Sequence, residues 1–240
     1  GVAPASPVSQ AGRVGIAATS LPAVTVTDVS GNPVPNVPVT FQATTGGGTV
    51  TGGSPSTDAL GQATVGGWTF GRTVTTNTVT ATVGALPLVT FDATVEFKVA
   101  SVASGLDHTC ALTIDGVAYC WGANGTGGVG DSSNAQRNSP SGVATSLVFS
   151  QIATGNGYTC ALGAGGAASC WGSNGTGQLG NGGLVPRNAP GTVSGGLQFS
   201  DITVGRLTNQ HTCGRLSSTG LIHCWGGNSS GQFGNNTLVP

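Results

Sequence analysis

The 240-residue chain has no methionine, one glutamate (Glu96), one lysine (Lys98) and only 6% charged residues. Ordinary soluble domains carry about 25%. Exposed helix faces are built largely from Glu, Lys, Gln, Met, Ala and Leu. Three of these six are missing or nearly so, which argues against an all-helical or α/β enzyme. Seven scattered cations against eight anions give a net charge of −1. There is no basic face to displace counterions, so no nucleic acid partner is expected. No apolar run approaches the roughly 20 residues of a membrane helix, so no transmembrane segment is expected. Residues 1–96 lack cysteine entirely, and all six cysteines lie at or after Cys110.

What is abundant is glycine, 43 residues, together with threonine and valine. That mixture suits strands and tight turns. The chain begins at Gly1 rather than Met, which reads as a processed, exported protein. Six cysteines fit an oxidising, extracellular compartment. Low surface charge also weakens self-repulsion and favours association.

The first stretch, residues 1–11, is rich in proline and serine and reads as an extended arm. From residue 12 to 96 short alternating segments are separated by turn clusters. Leu21–Asp28, Val37–Phe41, Ala63–Phe70, Thr75–Val83 and Leu88–Val95 alternate, with Ser30–Pro33 and Gly46–Gly48 as turns. Turns every 8–12 residues are the pattern of a β-sandwich. Its expected core includes Phe41, Trp68 and Phe91. Val26-Thr27-Asp28, Gly31-Asn32-Pro33-Val34-Pro35, Gly47-Gly48-Thr49-Val50 and Trp68-Thr69-Phe70-Gly71 resemble the bacterial Ig-like domain of the invasin/intimin type. So does the run Asn77–Val83 with Val89-Thr90-Phe91. The resemblance implies a rigid spacer on a bacterial surface protein, not a chemistry.

Residues 97–240 hold three aligned repeats, about 97–148, 149–198 and 199–240. Each carries a Cys pair, then Trp-Gly, then a glycine-rich turn: Cys110…Cys120-Trp121-Gly122, Cys160…Cys170-Trp171-Gly172 and Cys213…Cys224-Trp225-Gly226. The period is 50 residues and then 53, counted between the first cysteines. Such spacing with short strands is that of propeller blades. Trp171 to Gly180 and its Phe233 variant resemble the repeats of the regulator of chromosome condensation family. That family builds β-propellers of about seven blades, and secreted bacterial relatives use the blades to hold proteins. Its nucleotide-exchange activity does not carry over, because the loops here lack charge. The fold class expected is therefore all-β: an Ig-like sandwich followed by a partial β-propeller of three disulfide-stapled repeats, the last one truncated.

Within each repeat a tight turn, such as Asp115-Gly116, folds the Cys-to-Cys segment into a hairpin. The two thiols then fall on adjacent strands near bonding distance. Disulfides Cys110–Cys120, Cys160–Cys170 and Cys213–Cys224 are expected, with Trp121, Trp171 and Trp225 as repeat core. A sugar-stacking ladder is the alternative for the tryptophans. Metal is a weaker reading of the cysteines, since Tyr158 replaces the histidine found at His108 and His211, and His223 lies outside ligand spacing. Calcium on Asp28 with Asp58, or on Asp115, is the only cofactor considered. Gly227-Asn228-Ser229-Ser230-Gly231 fits a serine-nucleophile pattern but coincides with a repeat turn. Glu96 with Lys98 admits isopeptide chemistry, though a solvated pair is the simpler reading. The sequons at Asn124, Asn174, Asn228 and Asn235 fall in repeat turns. No convergent polar constellation marks an enzyme.

The function expected is non-enzymatic: an extracellular, self-associating structural protein of a bacterial surface, plausible as a filament subunit. Three repeats leave strand edges unpaired, and open edges template pairing with other chains. Val2 and Val8 in the arm and Val14 just after it, with Phe233, Leu238 and Val239 at the other end, are the candidate assembly segments. The arm is expected to add a strand to the edge at Phe233–Pro240. The alternative is a secreted or surface-anchored adhesion module whose propeller loops hold a host or neighbouring-cell protein or glycan.

Overall fold

The computed structural model describes residues 1–72, 75–207 and 209–239. The described chain is all-β with one short 3₁₀ turn at Ala164–Gly166. It divides into two compact units, Gly1–Lys98 and the remainder from Val99.

The first unit has nine strands: β1 (Val2–Pro4), β2 (Ser9–Arg13), β3 (Ala23–Val26), β4 (Thr40–Thr45), β5 (Thr49–Thr51), β6 (Gln62–Thr64), β7 (Gly67–Thr69), β8 (Asn77–Thr82) and β9 (Val89–Glu96). They form sheets of order β1-β3-β6, β2-β9-β8-β4 and β5-β7. Alternation sends Phe91, Ala93 and Val95 of β9 inward while Thr90, Asp92 and Thr94 face water, as one-sided sheets require. Phe41, Trp68 and Phe91 are buried. The Phe70 ring meets Trp68 edge-on, with centroids 4.9 Å apart.

The amino-terminal arm is not free. Val2 pairs with Val26 in the antiparallel β1–β3 ladder. Ser9 to Arg13 pair in parallel with Asp92 to Glu96. Val14 is buried, and the Val8 carbonyl accepts the Asp92 N–H at 2.9 Å. A Cβ on Gly12 would come within 2.1 Å of the Phe70 ring, so a glycine is what allows β2 to lie there. The expectation of an arm that donates a strand to another molecule is thus overturned. Without β2, β9 would itself be an open edge, and the arm closes it.

The second unit contains three antiparallel sheets, here called blades. Blade 1 has β10 (Val99–Ser104), β11 (His108–Thr113), β12 (Ala118–Gly122) and β13 (Arg137–Gly142). Blade 2 has β14 (Phe149–Thr154), β15 (Tyr158–Gly163), β16 (Ala168–Gly172) and β17 (Arg187–Thr192). Blade 3 has β18 (Phe199–Val204), β19 (His211–Leu216) and β20 (Ile222–Gly226). Strand order follows the chain in each. Register repeats as well: Cys110 faces Cys120, Cys160 faces Cys170 and Cys213 faces Cys224. All three pairs are disulfides, each with Cα atoms 4.1 Å apart.

Two apolar cores lie between the blades rather than within them. One joins Leu112, Ala118 and Val129 of blade 1 to Phe149, Ile152 and Trp171 of blade 2. The other joins Leu162, Ala168 and Leu179 of blade 2 to Phe199, Ile202 and Trp225 of blade 3. A twisted sheet has two faces, and blade 2 spends one on blade 1 and the other on blade 3.

Candidate interaction surface

Each blade joint is built from the same few groups. The glycine of every Trp-Gly pair, Gly122, Gly172 and Gly226, sits at φ 112°, 101° and 98°, where side chains rarely go. At Gly172 a Cβ would be 2.3 Å from the Gly157 carbonyl oxygen. That bend turns the chain into the loop held by Asn124, Asn174 or Asn228. All three asparagines are buried. The Asn174 Oδ1 accepts the Leu179 N–H, while its Nδ2 donates to Asn181 Oδ1 and to the Gly183 and Val185 carbonyls. Asn124 and Asn228 hold their loops in the same way. Three of the four sequon asparagines are therefore closed to glycosylation in the fold.

The Asn clamp presents one backbone carbonyl to the next blade. Gly128 O accepts both the Trp171 indole N–H at 2.9 Å and the Thr159 hydroxyl at 2.9 Å. Gln178 O accepts the Trp225 indole N–H at 3.0 Å and the Thr212 hydroxyl at 2.8 Å. A second contact returns from the loop: the Thr126 hydroxyl donates to Gly157 O, and that of Thr176 to Gln210 O, each at 2.8 Å. On the inner strands Gln151 Oε1 accepts the Ile202 N–H at 3.1 Å, and its Nε2 donates to Asp201 at 2.7 Å. Trp171 is fully buried at such a joint, whereas Trp121 and Trp225 are half-buried.

Burial favours the uncharged forms of two titratable groups at the joints, His108 and Tyr158. His108 is buried, and because the Thr159 hydroxyl donates to Gly128 O it accepts from His108 Nε2–H at 2.8 Å. That leaves Nδ1 as the bare nitrogen, 3.7 Å from the Asp107 carboxylate. Burial holds the His108 pKa below its ordinary value, opposed by Asp107. Burial pushes the Tyr158 phenol up to about 12, and its hydroxyl donates to the His211 carbonyl at 2.6 Å.

The outward faces of the array differ sharply from the joints. On the side that meets a preceding blade, Ile152 and Ile202 are 8% and 2% exposed, whereas their counterpart Val102 in blade 1 is 63% exposed. On the side that meets a following blade, Ala118 and Ala168 are 1% and 4% exposed, whereas Ile222 in blade 3 is 74% exposed. Cys213 and Cys224 are half-buried, where the other four cysteines are fully buried. The open strand edge in blade 3 is that of β20, not the segment Phe233–Pro240. Phe233 to Val239 form the loop clamped by Asn228, with Phe233 half-buried and Leu238 and Val239 exposed. Pro240 lies outside the described residues. The clamp asparagines and the Thr159 and Thr212 hydroxyls are joint residues that the sequence reading missed. Their signal was an asparagine five positions before an apolar residue in every repeat.

The other candidate chemistries dissolve into turns. Asp28 Oδ1 accepts the Ser30 and Asn32 N–H groups, and Asp58 Oδ1 those of Leu60 and Gln62. These hydrogen bonds, the Asn32 side-chain amide first, hold the Asp28 carboxyl below its usual range. Among the described residues no group of three or more His, Cys, Asp or Glu is placed to hold a metal. Ser229 Oγ donates to Asn209 Oδ1 at 2.6 Å. Glu96 and Lys98 form an exposed ion pair at 2.8 Å.

Two family models for the regulator of chromosome condensation (RCC1) repeat match the chain, over residues 99–127 and 115–162. No curated protein matches it. Among solved structures, human WBSCR16 is 19% identical, with 69% of this chain and 48% of that one covered and a TM-score of 0.53. A chain of the complex of Kap60 with yeast RCC1 (Prp20) is 18% identical, covering 68% of this chain and 44% of that one at a TM-score of 0.51. The D00-D0 domain of intimin is 23% identical over 39% of this chain and 43% of that one, but its TM-score of 0.30 is too low to bear on the first unit. The chain thus spans less than half the length of these two propeller structures. The three disulfides point to an oxidising, extracellular setting. No helix among the described residues is long and apolar enough to cross a membrane. What these likenesses establish is the fold of the second unit, propeller-like blades, with RCC1 repeats matched over residues 99–162.

Proposed function

We propose that the chain is a non-enzymatic, extracellular structural protein of a bacterial surface that associates with other copies of itself. The observation that carries this reading is the exposure of Val102 in blade 1, whose repeat counterparts Ile152 and Ile202 are buried against a preceding blade. An apolar face made to be covered lowers its free energy by being covered, at roughly 25 cal/mol per Å² of apolar area. The low overall charge leaves little repulsion to oppose this. The first unit, whose sequence resembles an Ig-like domain, serves as a spacer in this reading. Sedimentation velocity on residues 1–240 from micromolar to millimolar concentration tests the reading. A weight-average mass that rises with concentration is the expected result; a monomer throughout would refute it.

A second reading is a binding or adhesion module that holds a protein or glycan. It is favoured by a groove of about 470 Å³ lined by Thr126 and Asn134 of blade 1 and by Arg187, Asn188 and Pro190 of blade 2. This reading predicts a strict monomer that saturates with a glycan or protein ligand, and loses it on Arg187→Ala.

A further inference from the structure

Blades 1 and 2 carry an arginine at the same rung, and its surroundings differ. Arg137 of β13 and Arg187 of β17 face Gly122 and Gly172 in equivalent ladders. In blade 1 the Asp131 carboxylate accepts from the Arg137 guanidinium, the Ser133 N–H and the clamp Asn124. In blade 2 Asn181 stands in place of that aspartate. Its Oδ1 still serves the loop, accepting from Asn174 Nδ2 and the Gly183 N–H, each at 3.1 Å. It has no charge to offer Arg187. Among the described residues the exposed Arg187 side chain has neither an ion pair nor a hydrogen bond.

A second difference gives that side chain its place. Cys120 faces Ser141, while Cys170 faces Gly191. A Cβ on Gly191 would come within 1.8 Å of Arg187 Nη1 and 2.9 Å of its Cζ. The guanidinium therefore lies across a stretch of backbone that only a glycine leaves open. Blade 2 lacks the partner for its arginine and has a bed for it instead.

The bed is one wall of the groove of about 470 Å³ between blades 1 and 2. The other wall is the blade 1 loop, which is tied to β17. The Ser132 N–H donates to Asn188 O at 2.8 Å, and Asn188 Nδ2 donates to Asn134 Oδ1 at 3.2 Å. Both walls belong to one internal joint, so the groove does not arise from where the array ends.

We infer that this groove binds a carboxylate-bearing sugar, a uronic-acid unit of an acidic polysaccharide. The inference rests on the binding reading above and names its ligand class. A planar guanidinium without an internal partner matches a carboxylate through two parallel hydrogen bonds. Around it stand groups that suit ring hydroxyls: Thr126 Oγ1, Asn188 Oδ1 and the second N–H of the Asn134 amide, whose first donates to Gly125 O. Ala189 and Pro190 offer a low apolar surface to the face of a sugar ring. An extended peptide fits less well. β17 is the outer strand of its sheet, but Pro190 has no N–H to give a strand added there. The lining also holds no aromatic or branched aliphatic side chain larger than proline to seat a peptide's apolar residues.

Titration of the full chain, labelled with nitrogen-15 and with its disulfides intact, decides the matter. The probes are a galacturonic acid trimer, the same trimer as its methyl ester, and a glutamic acid trimer. The acid is expected to shift the signals of Asn134, Arg187 and Asn188 with a dissociation constant on the order of 1 mM, weakening as salt rises. The ester keeps the rings and loses the charge, and is expected to bind at least about ten-fold more weakly. Arg187→Gln is expected to weaken the acid by the same factor. So is Asn181→Asp, which gives Arg187 the partner that Arg137 has, in a loop whose blade 1 counterpart already carries aspartate. Arg215→Gln, at an exposed cation of blade 3, is expected to change nothing. If the ester binds as tightly as the acid, or either groove variant binds the acid like the parent, the carboxylate is not what the groove reads, although the binding reading stands. If the glutamate trimer binds as tightly as the sugar acid, the ligand is an acidic peptide and the sugar class is wrong. If none of the three moves a signal in the groove, this inference and the glycan half of the binding reading fall together.

Discussion

Blade 2 and blade 3 carry the same hairpin, the same disulfide and the same asparagine clamp, yet one is sealed and the other is not. Cys160, Cys170 and Trp171 are fully buried, while Cys213, Cys224 and Trp225 are half-buried. The hairpin registers match rung by rung, so the difference lies outside the hairpin: blade 2 has a fourth strand beside Cys170 and a neighbour on each face, and among the described residues blade 3 has three strands and one neighbour. Burial in a repeat array is a property of the joint, and stability is close to a sum over joints.

The comparison breaks most visibly at tryptophan. Trp171→Ala removes a large side chain and its indole hydrogen bond from a closed joint, and is expected to cost about 3–5 kcal/mol. Trp121→Ala, at a half-buried site with no indole partner, is expected to cost less than half as much. Urea unfolding followed by far-ultraviolet circular dichroism measures both; equal losses would mean that the joints do not govern stability.

Disulfides sharpen it next. Each bridge closes a short loop and contributes about 2–3 kcal/mol in the chain-entropy model. Mild reductant followed by alkylation and peptide mass spectrometry is expected to label Cys213 and Cys224 well before the other four. Simultaneous labelling of all six would show that exposure at the end face is not what controls access.

The smallest effect is acid sensitivity of the first joint. His108 has a folded pKa below its unfolded value of about 6.5, so the unfolded chain binds more protons between those two values. Its contribution to stability is therefore complete above about pH 6.5 and falls as pH drops toward the folded pKa. His108→Gln keeps a donor toward Thr159 and is expected to flatten melting temperature between about pH 6.5 and 5. An unchanged slope would move the acid sensitivity elsewhere.

The strands were legible because alternation is local: Thr90 to Val95 announce one wet and one dry face without any knowledge of the partner strand. The hairpin disulfides were legible for the same reason, since a turn at Asp115-Gly116 decides which thiols can meet. The arm was not. Its fate depends on β9, some eighty residues away, and on Gly12 passing under Phe70, neither of which leaves a local pattern. The site was half visible. Trp121, Trp171 and Trp225 stand out as repeated core, but the carbonyls they reach belong to Gly128 and Gln178, residues of no distinctive chemistry. A backbone acceptor has no signature in side chains. Only the spacing from the clamp asparagine reveals where it must be.

The parallel pairing of β2 with β9 has a mechanical meaning. When the first unit is stretched between its amino-terminal arm and Lys98, tension enters β2 at Ser9 and leaves β9 at Glu96. The rungs from Ser9–Asp92 to Arg13–Glu96 then lie across the line of pull and bear the load in shear, together rather than one after another. A unit stitched in that way yields late under tension.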